Sequence, residues 1–383
     1  MENSHVQKMT SMNIGIVCYP TFGGSGVVAT ELGHYLAKKG HKVHFITYNQ
    51  PVRLDILDPN IYYHEVNVHD YPLFKYQPYE LALSSAMVDA VLREKLDVLH
   101  VHYAIPHAYA AYTAKQILKD RGVNIPIVTT LHGTDITLVG KNPSYKPAVT
   151  FSINHSDAVT SVSESLKEDT QDFFGITRDI EVIPNFVDLE LYKGNENCAR
   201  AQLAEEGEKL ITHISNFRPV KRTQDVVSVF KAIHDKMPSK LLLIGDGPER
   251  SKTEDMARNL GLERDVIFLG KTTEVHRVLC SSDLFVLPSM TESFGLAALE
   301  AMAAKVPVIS TDTGGLPEVN VHGVTGFTSP VGDVEDMAKN AMEILSSEEV
   351  HKGFKERAFE RASQFTIDEI GPKYESLYQQ VVG

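Results

Sequence analysis

Short runs of apolar and β-branched residues alternate with longer amphipathic stretches along almost the whole chain. Residues 14–18 and 98–103 are examples of the short runs, and residues 27–39 and 109–120 are examples of the amphipathic stretches. A strand buried on both faces of a parallel sheet is apolar along its length, whereas a covering helix is apolar on one side only. The alternation therefore predicts an α/β protein with parallel sheets that are covered by helices on both faces.

The alternation is interrupted between residues 185 and 208 by a stretch that is polar over residues 193–200. At ~150 residues per domain, the chain is long enough for two domains. We predict two doubly wound, Rossmann-like domains, over residues 12–188 and 189–365. The final helix, within residues 366–383, is expected to pack back on the first domain. Two such domains face a cleft, which is the usual place for a ligand.

Charge and composition exclude several classes of partner. The formal net charge is −13, and so acidic a surface repels nucleic acids and anionic membranes. No apolar run approaches the ~18 residues of a membrane-spanning helix, and residues 1–11, which lack a signal-peptide core, are interpreted as an extension before a start at Met12. Cys18, Cys198 and Cys280 contain no Cys-x-x-Cys pair, and so sparse a set favours a reducing, cytoplasmic location.

A glycine turn, Gly23-Gly24-Ser25-Gly26, follows the first predicted strand and precedes the first helix. Glycine lets the backbone approach a ligand closely, and the N–H groups of a helix start can bind an anion. The spacing also fits the dinucleotide fingerprint, but the next strand ends in residues 47–50 without the acid that would hold a ribose. A nicotinamide-dependent dehydrogenase is therefore disfavoured, and a turn without a ligand remains an alternative.

The segment from Glu292 to Glu300, ESFGLAALE, carries the strongest local signal. We predict that a helix begins near residues 293–295, which leaves backbone N–H groups available to a phosphate. Glu300 then lies on an otherwise apolar helix, where a carboxylate needs partners such as sugar hydroxyls. The alternative is that Glu292 complements the helix dipole and that Glu300 lies on a partly exposed flank.

Basic and imidazole groups follow other predicted strands. Arg218, Lys221 and Arg222 lie at the end of a strand, where open α/β sheets bind ligands, although a solvated loop is an alternative. His132 ends another strand and can donate to a phosphate or sugar oxygen, although a lone histidine at a strand end is more often a structural residue. His102 lies on a strand together with His100, and His107 follows, but no carboxylate or thiolate completes a metal site. No metal or other cofactor is expected.

Together these motifs resemble the retaining glycosyltransferases of the GT-B type, in the large family that includes sucrose and glycogen synthases. The most specific mark is the pair Glu292 and Glu300, and the supporting marks are GGSG, HGTD, a GDGPE turn and TGGLPEV. The segments CYPTFGGSG, HYAIPHA, TLHGTDIT and SNFRPVKR are similar to those of members that transfer N-acetylglucosamine to L-malate in bacillithiol biosynthesis. The resemblance implies UDP-N-acetylglucosamine and L-malate as small-molecule substrates, and leaves a homo-oligomer open.

The resemblance also implies roles for individual residues. The catalytic set is His132 against the transferred sugar, Glu292 on its hydroxyls, and Arg218 and Lys221 on the diphosphate. The family has four residues between the arginine and the lysine, whereas this chain has two, so Arg222 is a possible substitute for Arg218. The remaining donor contacts are Gly24 at the diphosphate, the amides of Phe294, Gly295 and Leu296, Glu300 at the ribose, and Gly270 and Lys271 near the uracil.

Position and resemblance together suggest donors for the two carboxylates of malate. We expect the cations, His132 and the helix starts after Gly24 and Glu292 to concentrate positive potential in an otherwise acidic protein. Transfer to another small acceptor, UDP-sugar epimerisation and a non-catalytic nucleotide-sugar sensor remain alternatives. The candidate acceptor residues are Ser25, His102, Tyr103, Thr134 and Arg218.

Overall fold

The computed structural model describes residues 11–21, 23–70, 72–192, 198 and 200–383, and these form two compact units. Residues 1–10 of the predicted extension 1–11 and most of the polar stretch 193–200 lie outside the described residues. The N-terminal unit contains the chain up to Val162, Leu166–Ile183 and Gly371–Gly383. The C-terminal unit contains Ser163–Ser165 and Pro184–Ile370.

The N-terminal unit is built on a parallel sheet of seven strands in the order β3-β2-β1-β4-β5-β6-β7. The central strands Val98–His102 and Ile127–Leu131 are fully buried, including their histidines and threonines, because helices cover both faces of such a sheet. The strands are β1 (Asn13–Val17), β2 (Lys42–Thr47), β3 (Ile61–Glu65), β4 (Val98–His102), β5 (Ile127–Leu131), β6 (Ala158–Ser161) and β7 (Glu181–Val182). The helices are α1 (Gly24–Lys38), α2 (Tyr79–Glu94), α3 (Tyr109–Lys119), α4 (Lys146–His155), α5 (Glu164–Phe174) and, at the end of the chain, α14 (Ile367–Val382).

Helix α14 packs into the N-terminal unit through a buried polar network. Glu375 accepts a hydrogen bond from Tyr35 Oη at 3.0 Å and lies 3.0 Å from His41 Nε2. Gly371 lies against the Tyr35 ring, where a β-carbon would come within 2.4 Å of a ring carbon. Only glycine allows this approach, and the carboxylate of Glu375 is satisfied where burial would otherwise be costly.

The C-terminal unit repeats this architecture with a parallel sheet of six strands in the order β10-β9-β8-β11-β12-β13. The strands are β8 (Lys209–Ile214), β9 (Ser239–Ile244), β10 (Val266–Gly270), β11 (Leu284–Leu287), β12 (Val308–Thr311) and β13 (Gly326–Ser329). The helices are α6 (Arg200–Leu203), α7 (Thr223–His234), α8 (Arg250–Asn259), α9 (Val275–Leu279), α10 (Leu296–Ala303), α11 (Leu316–Val319), α12 (Val334–Ile344) and α13 (Glu348–Ala362).

The predicted strands and helices are present in the structure. The structure also contains some elements that the sequence did not indicate. Helices α4 and α5 carry weak apolar patterns. Helix α11 and strand β13 have only four residues each, too few for a period to be recognised. Among the described residues, no helix is long and apolar enough to cross a membrane.

Two of the three cysteines are paired in the structure. Cys198 and Cys280, 82 residues apart in the sequence, form a disulfide, and Cys18 is free and buried. Nothing in the cysteine spacing indicates this pair, because the fold brings the two residues together. Because of this disulfide, the cysteines no longer support the prediction of a reducing compartment.

Candidate active site

Several of the predicted site residues lie at the two positions where the order of strands reverses. In the N-terminal sheet the reversal falls between β1 and β4, and in the C-terminal sheet it falls between β8 and β11. Open α/β sheets bind ligands in the crevice that such a reversal leaves at the carboxyl ends of the strands. Ser25 and Tyr103 follow the first pair of strands, and Lys221 and Glu292 follow the second pair.

In the N-terminal unit, His132 contacts a second imidazole. Strands β4 and β5 are neighbours, so that His102 at the end of β4 lies beside the end of β5. Nδ1 of His102 lies 2.8 Å from Nε2 of His132, which is hydrogen-bonding distance. His102 is fully buried, whereas His132 is half-buried. The structure thus places the predicted acceptor residue His102 behind His132.

A buried carboxylate holds the loops that follow these two strands. Asp135 accepts hydrogen bonds from the backbone N–H of Ala104 at 2.8 Å and of Gly133 at 3.1 Å. Its two oxygens therefore connect the turn after β4 with the turn after β5. Burial raises the pKa of Asp135 to about 6, although these N–H groups oppose the increase.

Other predicted acceptor residues lie near the same edge of the sheet. Tyr103 has a φ angle of +86° and donates from its hydroxyl to Ser25 Oγ at 2.7 Å. Such a φ is strained for a tyrosine, and strain of this kind is concentrated at functional sites. Thr134 and Gly24 are exposed at the starts of their turn and helix. Arg218, the fifth acceptor candidate, belongs to the C-terminal unit, and its role at the acceptor stays a prediction.

The histidines of this region are uncharged at neutral pH. Burial lowers the pKa of His107 to about 4 and the pKa values of His100 and His132 to about 3. Burial and the neighbouring imidazoles also lower the pKa of His102 well below its ordinary value. The expectation that His132 adds positive potential is therefore wrong, because a desolvated imidazole stays neutral. These rings supply hydrogen-bond donors and acceptors without net charge.

In the C-terminal unit, Lys221 and Glu292 form an ion pair. Lys221 Nζ contacts Glu292 Oε1, which also accepts from Ser289 Oγ at 3.1 Å. The N–H of Met290 donates to the carbonyl of Val220 at 2.7 Å and so joins the two loops that carry the pair. The structure thus brings together the basic loop and the Glu292 segment, which are far apart in the sequence.

The glycines of the TGGLPEV segment pack directly under Glu292. A β-carbon at Gly314 would lie 1.9 Å from the carbonyl oxygen of Glu292, and one at Gly315 would lie 2.3 Å from that of Ser293. The N–H of Gly315 also donates to the carbonyl of Glu292 at 2.9 Å. The backbone of Gly314 and Gly315 therefore packs directly against the backbone of the Glu292 turn. Any side chain would prevent this contact, which explains why two glycines follow β12.

The GDGPE turn supports the basic loop in the same way. A β-carbon at Gly245 would lie 1.8 Å from the carbonyl oxygen of Ser215. Arg222 Nε donates to Asp225 at 2.6 Å, whereas Arg218 is exposed and has no ion-pair partner in the described part of the chain. Of the two arginines, Arg218 is the one without a competing carboxylate.

The start of α10 follows Glu292 after a sharp turn. Phe294 is buried against Phe365, and Gly295 has a φ angle of +93° immediately before the helix begins at Leu296. The predicted helix start is correct to within a few residues. Glu300 is half-buried on α10, Gly270 is the last residue of β10, and Lys271 follows it at the carboxyl end of that strand. Their assigned ligand contacts stay predictions.

Sequence reasoning missed Asp135 and Ser289 as supporting residues. Asp135 is part of the HGTD segment, and a carboxylate so close to an apolar strand end was the signal that could have revealed it. Ser289 gave no signal, because its partner is defined only by the positions of β11 and the following turn.

Two family models match consecutive halves of the chain. "Glycosyltransferase Family 4" matches residues 22–191, and "Glycosyl transferases group 1" matches residues 195–361. The N-acetyl-alpha-D-glucosaminyl L-malate synthase of Bacillus anthracis is 49% identical over 374 residues, which cover 97% of each chain. The D-inositol 3-phosphate glycosyltransferase of Corynebacterium glutamicum is 26% identical and covers 98% of this chain and 96% of its own length.

Solved structures share the fold at lower identity. Sucrose-phosphate synthase from Thermosynechococcus elongatus superposes with a TM-score of 0.81 at 21% identity, over 96% of this chain and 98% of its own. Anabaena Alr3699/HepE, solved in complex with UDP and glucose, superposes with a TM-score of 0.79 at 20% identity, over 96% and 99%. The two parallel sheets, the two matching models and the 49% identical relative agree: the chain belongs to the GT-B glycosyltransferases, with a family 4 half followed by a group 1 half.

Proposed function

We propose that this glycosyltransferase moves N-acetylglucosamine from UDP-N-acetylglucosamine to the hydroxyl of L-malate, with retention of configuration and without a metal. The products are N-acetylglucosaminyl-malate and UDP, and the reaction is the first step of bacillithiol biosynthesis. The observation that carries the proposal is the 49% identity, over 97% of both chains, to a protein named for this product. A cytoplasmic location and any homo-oligomer belong to the proposal as predictions.

The C-terminal unit supports the donor half of the proposal. Departure of UDP builds negative charge on the diphosphate, and fixed cations and N–H groups stabilise such charge without reorganisation. We assign this role to Lys221, Arg218 and the N–H groups before α10. We assign Glu292, which is half-buried beside Lys221, to the hydroxyls of the donor sugar, because a carboxylate makes strong hydrogen bonds to such donors.

The reaction needs no protein base under this assignment. The bond between the anomeric carbon and the phosphate oxygen breaks, and the bond to the malate hydroxyl oxygen forms on the same face. The proton of that hydroxyl passes to the departing phosphate oxygen, so that atoms and charge balance. The neutral imidazole of His132 contributes a hydrogen bond to the transferred sugar, and the protein contributes position and electrostatics.

For the acceptor, the assignment rests on the carboxyl ends of β1, β4 and β5. The Tyr103 hydroxyl donates a hydrogen bond to the Ser25 hydroxyl at 2.7 Å. Thr134, two residues after His132, is exposed. Hydroxyl donors can bind a carboxylate, and Arg218 would add charge assistance. Direct contact between malate and His102 is not part of this proposal, because His102 is fully buried.

The test is product identification by mass. The protein is incubated with UDP-N-acetylglucosamine alone, with L-malate, and with D-inositol 3-phosphate, the acceptor named for the Corynebacterium glutamicum relative. We expect an N-acetylhexosaminyl-malate adduct and UDP only in the malate reaction. Transfer to the inositol phosphate and not to L-malate would show that the proposed acceptor is wrong. An isomerised sugar formed from the donor without any acceptor would indicate an epimerase.

A further inference from the structure

The hydrogen bond between His102 and His132 has only two possible proton arrangements. Both rings are neutral because burial lowers both pKa values, so one nitrogen of the close pair carries the proton and the other accepts it. Either His102 Nδ1–H donates to His132 Nε2, or His132 Nε2–H donates to His102 Nδ1. The two arrangements leave opposite groups on the free nitrogen of His132.

The far nitrogen of His102 decides between these arrangements. Nε2 of His102 is buried and has no hydrogen-bond partner in the described part of the chain. If His132 were the donor, this Nε2 would carry an orphaned N–H, and buried orphaned N–H groups are rarer than buried acceptors without a partner. If His102 is the donor, only a lone pair remains unpaired.

We propose that His102 is a positioning residue for His132: its Nδ1–H donates to His132 Nε2 and holds the His132 ring as the Nδ1–H tautomer. The half-buried His132 ring then offers an N–H, rather than a lone pair, on its remaining nitrogen. This inference rests on the proposed function, in which His132 lies against the transferred sugar. An N–H suits that place, because sugar and phosphate oxygens accept hydrogen bonds.

A second layer of contacts fixes His102 from behind. The ring of His100 lies 4.4 Å from the ring of His102, centroid to centroid. Nδ1 and Nε2 of His100 are themselves within 2.7 Å of Tyr378 Oη and Thr130 Oγ1. His107 Nδ1 donates to the backbone carbonyl of His102. These contacts leave His102 little freedom, which is what a positioning role requires.

The first test reads the tautomer directly. Long-range proton–nitrogen spectra of the full chain labelled with ¹⁵N-histidine distinguish a protonated Nδ1 from a protonated Nε2. The His132 signals are assigned from their loss in His132→Gln. We expect Nδ1–H at His132 in the wild type, and a mixture or the other tautomer in His102→Leu. Nε2–H at His132 in the wild type would overturn the proposal.

The second test compares two replacements of His102. The amide nitrogen of His102→Asn can take the place of Nδ1–H, whereas His102→Leu has no donor. We expect kcat to fall roughly 10- to 100-fold in His102→Leu and substantially less in His102→Asn, with little change in KM for the donor. The exposed residue His69 provides a matched control, and His69→Leu should retain wild-type kcat.

The outcomes separate a positioning role from a merely structural one. Equal losses of kcat in His102→Asn and His102→Leu, at matched melting temperatures, would contradict the proposal. If His102→Leu does not fold, the wild-type spectrum and His102→Asn still decide. If the wild type makes no product from L-malate, the proposed function fails, while the spectrum still tests the bond between His102 and His132.

Discussion

At the scale of residues, functional side chains in this enzyme interact in pairs, and the two members of a pair follow different strands. Lys221 follows β8 and Glu292 follows β11, and each is partly desolvated and satisfied by the other. The pair is electrically neutral, so an arriving diphosphate must compete with a carboxylate for Lys221. The local charge at this edge of the sheet therefore depends on which partner Lys221 contacts.

Replacing Lys221 tests the diphosphate assignment. We expect Lys221→Ala to raise the Kd for UDP roughly 10- to 100-fold, because a charge-assisted hydrogen bond contributes about 1.5–3 kcal/mol. Calorimetry with UDP measures the change. Lys231→Ala is the matched control, because Lys231 pairs with Asp235 on the surface of α7. An unchanged Kd in Lys221→Ala would mean that the diphosphate lies elsewhere.

Replacing Glu292 tests the sugar assignment separately. Glu292→Gln keeps the shape but loses the charge that strengthens hydrogen bonds to sugar hydroxyls, so we expect kcat to fall about tenfold or more. The Kd for UDP, which lacks the transferred sugar, should not rise, because the change also removes the charge that competes with the diphosphate for Lys221. UDP release and calorimetry provide the two measurements. A rise in the Kd for UDP that exceeds the fall in kcat would place Glu292 at the nucleotide.

At the scale of elements, the turns after the strands support one another through close backbone contacts. The turn after β12 lies under the turn that begins α10, and the turn after β9 lies under the loop after β8. A single β-carbon would separate each pair. The position of Glu292 thus depends on the close approach of Gly314 and Gly315 to its backbone.

Gly315→Ala should disturb this support without any change of charge. The added β-carbon would lie 2.3 Å from the Ser293 carbonyl, and we expect overpacking to cost about 1–3 kcal/mol and to lower kcat together with stability. Urea unfolding and UDP release measure both. Gly353→Ala, inside α13 beside the flexible side chain of Arg357, should be neutral or slightly stabilising. Equal changes of stability and kcat in the two variants would show that the contact between Gly315 and the Ser293 carbonyl does not position Glu292.

At the scale of the whole molecule, buried neutral imidazoles make stability depend on pH. His100, His107 and His132 have folded-state pKa values of about 3 to 4, well below the ~6.5 of an unfolded chain. The unfolded state therefore binds more protons between these values, and the stabilisation that is present above pH ~6.5 is lost as the pH falls towards 4. Asp135, with a raised pKa of about 6, acts in the opposite direction between pH ~4 and 6.

We expect the free energy of unfolding to fall between pH 6.5 and 4.5. Each of these histidines contributes a slope of up to about 1.4 kcal/mol per pH unit, so the three together outweigh the single opposing carboxyl. His107→Asn keeps a donor for the His102 carbonyl. It should reduce the pH dependence of the free energy of unfolding by about the contribution of one histidine. Urea unfolding at a series of pH values measures it, with His69→Asn as the exposed control. An unchanged slope in His107→Asn would show that His107 is charged in the folded protein.

Much of the fold and part of the site could be predicted from local patterns in the chain. Strand and helix periods are local, so the apolar runs located most strands, and glycine turns marked their ends. Strand β13 was missed because it has only four residues, and α5 was missed because its sequence is mostly polar. The motifs indicated Lys221, Glu292 and His132, but not which partners these groups have.

The sequence by itself determined the strand and helix pattern, the glycine turns and the set of chemical groups at the strand ends, because these depend on neighbours within a few residues. Only the tertiary structure decided that His102 lies behind His132, that Asp135 joins two loops, and that Cys198 pairs with Cys280. The first two of these contacts depend on which strands become neighbours in a parallel sheet. That order is set by long crossovers and by burial over the whole unit, neither of which a local pattern contains.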